Sequence, residues 1–117
     1  MANSIERYFD LIDIARTDEM LDELVGLFTL DAILTPAGQA PLVGRDSIRA
    51  NQEAFYRDAS AASKHFYVVT DESPTAIEVD WAVAARMRNG ELFTLQGHNV
   101  FELASDGRIT RLTVTNA

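Results

Sequence analysis

Residues 75–104, TAIEVDWAVAARMRNGELFTLQGHNVFELA, decide how this chain folds. Two apolar-rich runs flank Asn89-Gly90, a dipeptide that reverses an extended chain because a tight hairpin asks for φ > 0 at its turn positions. The runs therefore read as strands over Thr75–Arg88 and Glu91–Ala104. Asp106-Gly107 repeats the signal ahead of a last strand, Arg108–Thr115, and Ser73-Pro74 separates the hairpin from an earlier strand, Lys64–Asp71. Gly97 lies inside a run and predicts a bulge or a sharp bend. The second half of the chain is thus an antiparallel meander.

The first half has the longer period of helices. Asn3, with Glu6 three residues on, forms a capping box, and Ile5, Tyr8, Phe9, Ile12 and Ala15 recur on one helical face. Thr17 restarts a second helix whose first turn, Asp18 and Glu19, suits the positive end of the helix dipole. Its apolar face is Met20 or Leu21, Leu24, Val25 and Phe28. A short strand, Ala32–Thr35, leads to the loop from Pro36 to Gly44, where two prolines and two glycines argue against regular structure. A third helix spans Arg45–Asp58 and buries Ile48 and Phe55. Helices first and strands later make an α+β domain with the helices on one face of the sheet. The 117 residues, 47% apolar and without linker or repeat, fit one domain over 1–117.

Composition excludes several function classes. There is no cysteine, hence no disulfide framework, thiol nucleophile or thiolate metal site. The net charge is −8 and the one Lys and nine Arg are scattered, so the clustered cations that nucleic-acid backbones require are missing. No apolar run reaches the roughly 20 residues that span a bilayer, and the first residues do not read as a secretory signal, so a cytoplasmic location is expected. His65 and His98 are the two histidines, and neither belongs to a His-x-His or His-x-x-x-His pair, so no metal site is expected. No Gly-rich phosphate loop is present, and no cofactor is expected.

Arg7-Tyr8-Phe9 in the first helix, a second helix ending near Phe28 and Asp31-Ala32, the Pro-Gly loop ending in Gly44-Arg45-Asp46-Ser47-Ile48, Gly97-His98-Asn99-Val100-Phe101 and Asp106-Gly107-Arg108-Ile109 together resemble the nuclear-transport-factor-2-like superfamily, in particular steroid Δ-isomerases and SnoaL-like polyketide cyclases. The resemblance covers nearly the whole chain and rests on the order and spacing of these segments. It implies a cone of cystatin-like topology, in which a curved antiparallel sheet and three N-terminal helices enclose an apolar pocket. It also implies a homodimer through the convex sheet face. Steroid isomerases of this type direct a tyrosine and a neutral carboxylic acid at a developing enolate oxygen, while a carboxylate before a proline carries the proton. By the resemblance, the tyrosine is Tyr8 and the acid is replaced by Asn99, nine residues after Gly90. The base falls on Thr35, immediately before Pro36. A threonine hydroxyl does not abstract a carbon-bound proton near neutral pH without another base, so steroid isomerisation by that route is not expected.

The strand over 75–88 leaves two registers open. Asp80, Ala82 and Ala84 share one face and Trp81, Val83, Ala85 and Met87 the other. The resemblance aims the first set at the pocket and the second at a dimer partner, and would make Asp80 a desolvated acid or base. Alternation alone permits the reverse, with Trp81 and Val83 inside and Asp80 in water. The catalytic candidates are Tyr8, Asn99 and, under the first register, Asp80; the pocket walls are Phe28, Thr35, Phe55, Leu95 and Leu112, joined under that register by Ala82 and Ala84. The functions compatible with these residues are an enzyme acting on a small apolar carbonyl or polyketide-like compound, as an isomerase, cyclase or lyase, a noncatalytic module binding such a molecule, and a dimerisation domain.

Overall fold

The computed structural model describes residues 4–117, with the side chains of Tyr56 and Arg57 left aside, so the Asn3 cap lies outside the described residues. Helix α1 covers Ser4–Ile14 and buries Ile5, Tyr8, Phe9, Leu11 and Ile12 along one face. Helix α2, Asp18–Gly26, is capped by Thr17, whose hydroxyl accepts the Met20 N–H at 3.3 Å, and buries Leu21, Leu24 and Val25. Strand β1 is Phe28–Thr35, so it begins four residues before the expected Ala32 and takes Phe28 out of the second helix. The Pro-Gly loop, expected to be irregular, contains a two-residue strand, β2, Leu42–Val43, which pairs with Ile33 and Leu34 of β1. Helix α3, Arg45–Gln52, passes into a π-helical segment, Glu53–Ala59, in place of continuing as one α-helix to Asp58. Ile48 is fully buried, whereas Phe55 is only half-buried in that segment.

Four long strands follow: β3, Ser60–Glu72; β4, Ala76–Met87; β5, Leu92–Leu103; and β6, Ile109–Asn116. The sheet order is β2-β1-β6-β5-β4-β3, curved and unclosed, with the helices against its inner face. The fold is the α+β cone expected from the sequence, with one parallel pair, β1 with β6, inside an otherwise antiparallel sheet. Phe28, Phe101, Ile109 and Leu112 of the sheet meet Ile5, Leu11, Ile12, Leu21 and Leu24 of the helices in a fully buried core.

The hairpins use a longer turn than a two-residue Asn-Gly loop. Met87 N–H donates to Glu91 O at 2.8 Å and Gly90 N–H to Met87 O at 2.9 Å, which closes a three-residue loop. Only Gly90 has positive φ (+91°), and Asn89 does not. Ala104, Gly107 (φ +87°) and Arg108 repeat the arrangement before β6. Both loops match the hairpin in which a left-handed glycine closes a type I turn.

Gly97 is not a bulge. The β4–β5 ladder runs through it without a break, from Asp80↔His98 to Trp81↔Gly97 to Ala82↔Gln96. Its reason is close approach: a Cβ built there would lie 2.3 Å from Trp81 Cζ2 and 2.3 Å from Thr115 O. The indole lies across the strand where a side chain would stand. This decides the register of β4, for the inner face carries Ile77, Val79, Trp81, Val83 and Ala85, while Asp80, Ala82 and Ala84 face outward. The apolar-inside alternation holds, and the register aimed at a partner through Trp81, Val83 and Met87 does not.

Because neither the indole nor a backbone carbonyl can yield easily, Gly97→Ala should cost about 2–3 kcal/mol in urea unfolding. It should also red-shift the emission of Trp81, the single tryptophan of the chain. An unchanged unfolding midpoint and emission maximum would show that the ring has room to move.

Candidate functional site

The inner face and the helices line an open cavity of about 270 Å³. Tyr8 of α1, Gln52 and Phe55 at the end of α3, His65 of β3, Trp81 and Val83 of β4, and Phe93 and Leu95 of β5 form most of its wall, with Leu34 and Pro36 closing the β1 side. No Lys, Arg, Asp or Glu is among the described lining residues. A smaller space of about 100 Å³ lies beside it and shares Tyr8, His65 and Trp81, with Asn99 and Phe9 on its far walls.

Tyr8 is held by rings on three sides. Phe9, Phe28 and Phe101 meet it edge-on, with centroids at 5.3, 6.2 and 5.4 Å. Burial pushes its hydroxyl well above the ordinary tyrosine pKa, against a smaller opposing effect of a hydrogen bond with Gln52, so it remains a neutral donor across the physiological range. Phe28 therefore lies in the core behind Tyr8 and is not a cavity wall.

His65 stands beside Tyr8 and is paired with Asp13 of α1. The ring Nδ1 is 2.6 Å from Asp13 Oδ1, the His65 backbone N–H donates to Asp13 Oδ2 at 2.8 Å, and the Ser63 hydroxyl donates to Asp13 Oδ1 at 2.8 Å. Both side chains are largely sheltered, at 7% and 14% exposure. Burial by itself would raise the Asp13 carboxyl, but the hydrogen bonds from the His65 ring, the His65 backbone and Ser63 outweigh it and hold the pKa below the ordinary carboxylate value. An ionised carboxylate thus fixes one nitrogen of an imidazole that lines the cavity, which is the geometry of an oriented proton acceptor.

Asn99 is buried, and its Oδ1 accepts the Trp81 Nε1–H at 2.9 Å. Its oxygen therefore pins the indole, and the residue lines the smaller cavity only. Phe55 and Leu95 line the larger one. Leu112 lies in the core, and Thr35 is passed over between two cavity-lining neighbours, Leu34 and Pro36. Ala82 and Ala84 are on the outer sheet face.

Asp80 is also outside, with its side chain 60% exposed. There it meets His98, whose Nδ1 is 2.7 Å from Asp80 and whose Nε2 is 2.9 Å from Glu78. The Asp80 contact first and the Glu78 contact second raise the His98 pKa. Asp80 is excluded as a cavity acid or base because an even-numbered residue of β4 cannot point inward while Trp81 and Val83 do. Among the described residues no group of three His, Asp or Glu is arranged to hold a metal ion, and no helix is long and apolar enough to cross a membrane.

Sequence reasoning passed over Asp13, Gln52 and the pocket role of His65. The signals were faint: Gln52 is one turn after Ile48 on the buried face of α3, and Asp13 borders the apolar stripe of α1. His65 and Asp13 are 52 residues apart, and only the packing of α1 on β3 joins them.

A cone of helices packed on a curved, unclosed sheet is the architecture of the nuclear-transport-factor-2-like class. The SnoaL-like domain family matches residues 5–112, and the chain belongs to that family. It is similar in structure to an NTF2-like protein of unknown function from Exiguobacterium sp. 255-15, at 31% identity and a TM-score of 0.86 over 98% of each chain. It also shares its fold with SalBIII, an epoxide hydrolase/cyclase-like enzyme of pyran ring formation in the polyether salinomycin. That likeness has 18% identity and a TM-score of 0.80 over 97% of this chain and 88% of the other. No curated protein sequence matches the chain.

A carboxyl with a lowered folded pKa contributes stability above its unfolded value, and that contribution is lost as pH falls through the folded value. Asp13→Asn should therefore cost about 1–3 kcal/mol near pH 7. Its deficit against wild type should shrink as pH drops below about 4. Urea unfolding at pH 7, 5 and 3 checks this, and a pH-independent deficit would mean that the Asp13 charge is not what ties α1 to β3.

Proposed function

We propose that the cavity binds a small, neutral, largely apolar carbonyl compound, polyketide-like in character, and that His65 moves a proton on it. The observation that carries this reading is His65, held by Asp13 at 2.6 Å, on the wall of a cavity that Tyr8 also lines. Tyr8 donates to the carbonyl oxygen. His65, steadied by the Asp13 carboxylate, takes a proton from the adjacent carbon, and the electron pair of that C–H bond moves into the enolate whose oxygen Tyr8 stabilises. Returning the proton from the imidazolium to the same or another carbon completes an exchange or isomerisation. Loss of a β-substituent would make it a lyase step, and attack of the enolate carbon on a second carbonyl a cyclisation. Thr35 plays no part in this scheme, and Asn99 acts through Trp81 as a positioning residue.

Proton exchange can be read without the natural substrate. With acetophenone or 1-indanone in D₂O, wild type should speed deuterium incorporation at the carbon next to the carbonyl. His65→Gln should lower that rate by about 10²–10⁴-fold, and Asp13→Asn by a smaller factor. Binding of these ketones in a thermal-shift assay without any acceleration of exchange would instead favour a noncatalytic binding module.

A homodimer through the outer sheet face belongs to the same proposal, formed by other residues than Trp81, Val83 and Met87. Phe66 and Val68 stand 65% and 60% exposed there, beside the small side chains of Ala82 and Ala84. Contiguous apolar surface of this kind on a sheet marks an association site. Sedimentation at micromolar concentration should give a dimer that Phe66→Asp converts to a monomer; a monomeric wild type refutes the dimer.

A further inference from the structure

Gln52 closes the last turn of α3 on the cavity wall and is 2% exposed. Its side chain hydrogen-bonds the Tyr8 hydroxyl, yet its Oε1 is buried without a hydrogen-bond partner among the described residues. Folded proteins rarely leave a buried acceptor unmet, and a Leu or Met one turn after Ile48 would pack here without that penalty. The amide nitrogen serves the Tyr8 oxygen, so the Tyr8 proton is directed to another acceptor. Two adjacent groups on the wall therefore make opposite demands: Tyr8 offers a donor and Gln52 Oε1 asks for one. A ligand carbonyl satisfies only the first. A ligand hydroxyl satisfies the second, and with no Lys, Arg, Asp or Glu among the described lining residues this neutral donor is favoured over an ammonium group.

We infer that Gln52 is the specificity-determining residue of the cavity and that its ligand is a hydroxy-ketone, or the enol form of a dicarbonyl, with the carbonyl on Tyr8 and the hydroxyl on Gln52 Oε1. This rests on the carbonyl-binding reading given above. The pairing makes the site chemically selective, because a plain ketone leaves the Gln52 oxygen unpaired on binding, whereas the hydroxy-ketone removes that penalty.

The test is calorimetric titration of the full chain with α-hydroxyacetophenone and with acetophenone, which differ by that one hydroxyl. Wild type should prefer the hydroxy-ketone roughly tenfold. In Gln52→Met, of similar size and without the acceptor, the ratio should fall to about one. Tyr8→Phe should weaken both ligands by a similar factor and keep the preference. Equal affinities in wild type, which decide the matter even if Gln52→Met does not fold, overturn the role of Gln52 and leave the carbonyl site standing. So does a preference that survives in Gln52→Met. Failure of both ketones to bind wild type overturns the carbonyl site and the inference together.

Discussion

The Asp13 carboxylate is the constraint on which the site depends. It accepts from the His65 ring, from the His65 backbone N–H and from the Ser63 hydroxyl, and so fastens helix α1 to β3, the strand at one edge of the sheet. Edge strands carry backbone donors that need a partner, and here a side chain from the helix layer supplies one. The same contact sets the height of α1 over the sheet, and with it the place of Tyr8, one helical turn from Ile12 and packed between Phe9, Phe28 and Phe101. Without it, the imidazole would lose its orientation and the cavity its defined wall.

A second constraint acts from the sheet. Trp81 fills the space over Gly97 and donates to Asn99, so three residues on two adjacent strands fix one another. The resemblance to steroid isomerases put Asn99 at the oxyanion position. In this chain its carbonyl oxygen is taken by the indole, and the polar work on the cavity wall passes to Tyr8, Gln52 and His65. The family architecture is kept while the polar groups of the cavity wall sit elsewhere on it. Fold and reaction are separate questions in a class whose sites are grafted onto a common cone.

The outer face shows why one residue type can mislead. Asp80 has the look of a buried base when counted from Gly90, yet it is a surface carboxylate bonded to His98, and Glu78 completes that charged row. Its neighbours Ala82 and Ala84 share that outer face and are not cavity walls. They flatten the exposed sheet surface next to Phe66. Small side chains leave space on whichever face they occupy, and the face is a property of the register.

The sequence alone determined the order of elements, because helical and strand periodicities and the Asn-Gly and Asp-Gly turns are local signals. It also determined the superfamily, through the spacing of those segments. Tyr8 was legible as a residue facing the interior, since it follows from the apolar period of its own helix. What needed the tertiary structure was everything that depends on two elements meeting. The face of β4 was undecidable because apolar side chains occur on both sides of that strand, and the Trp81–Gly97 contact breaks the tie. Phe28 passed from helix to strand because it hydrogen-bonds with Arg45 and pairs with Ile109, partners distant in sequence. His65 and Asp13 lie 52 residues apart, and no local pattern brings a carboxylate and an imidazole together. Helix packing does that, because burying the apolar stripe of α1 on the sheet brings Asp13 beside Ser63 and His65 of β3.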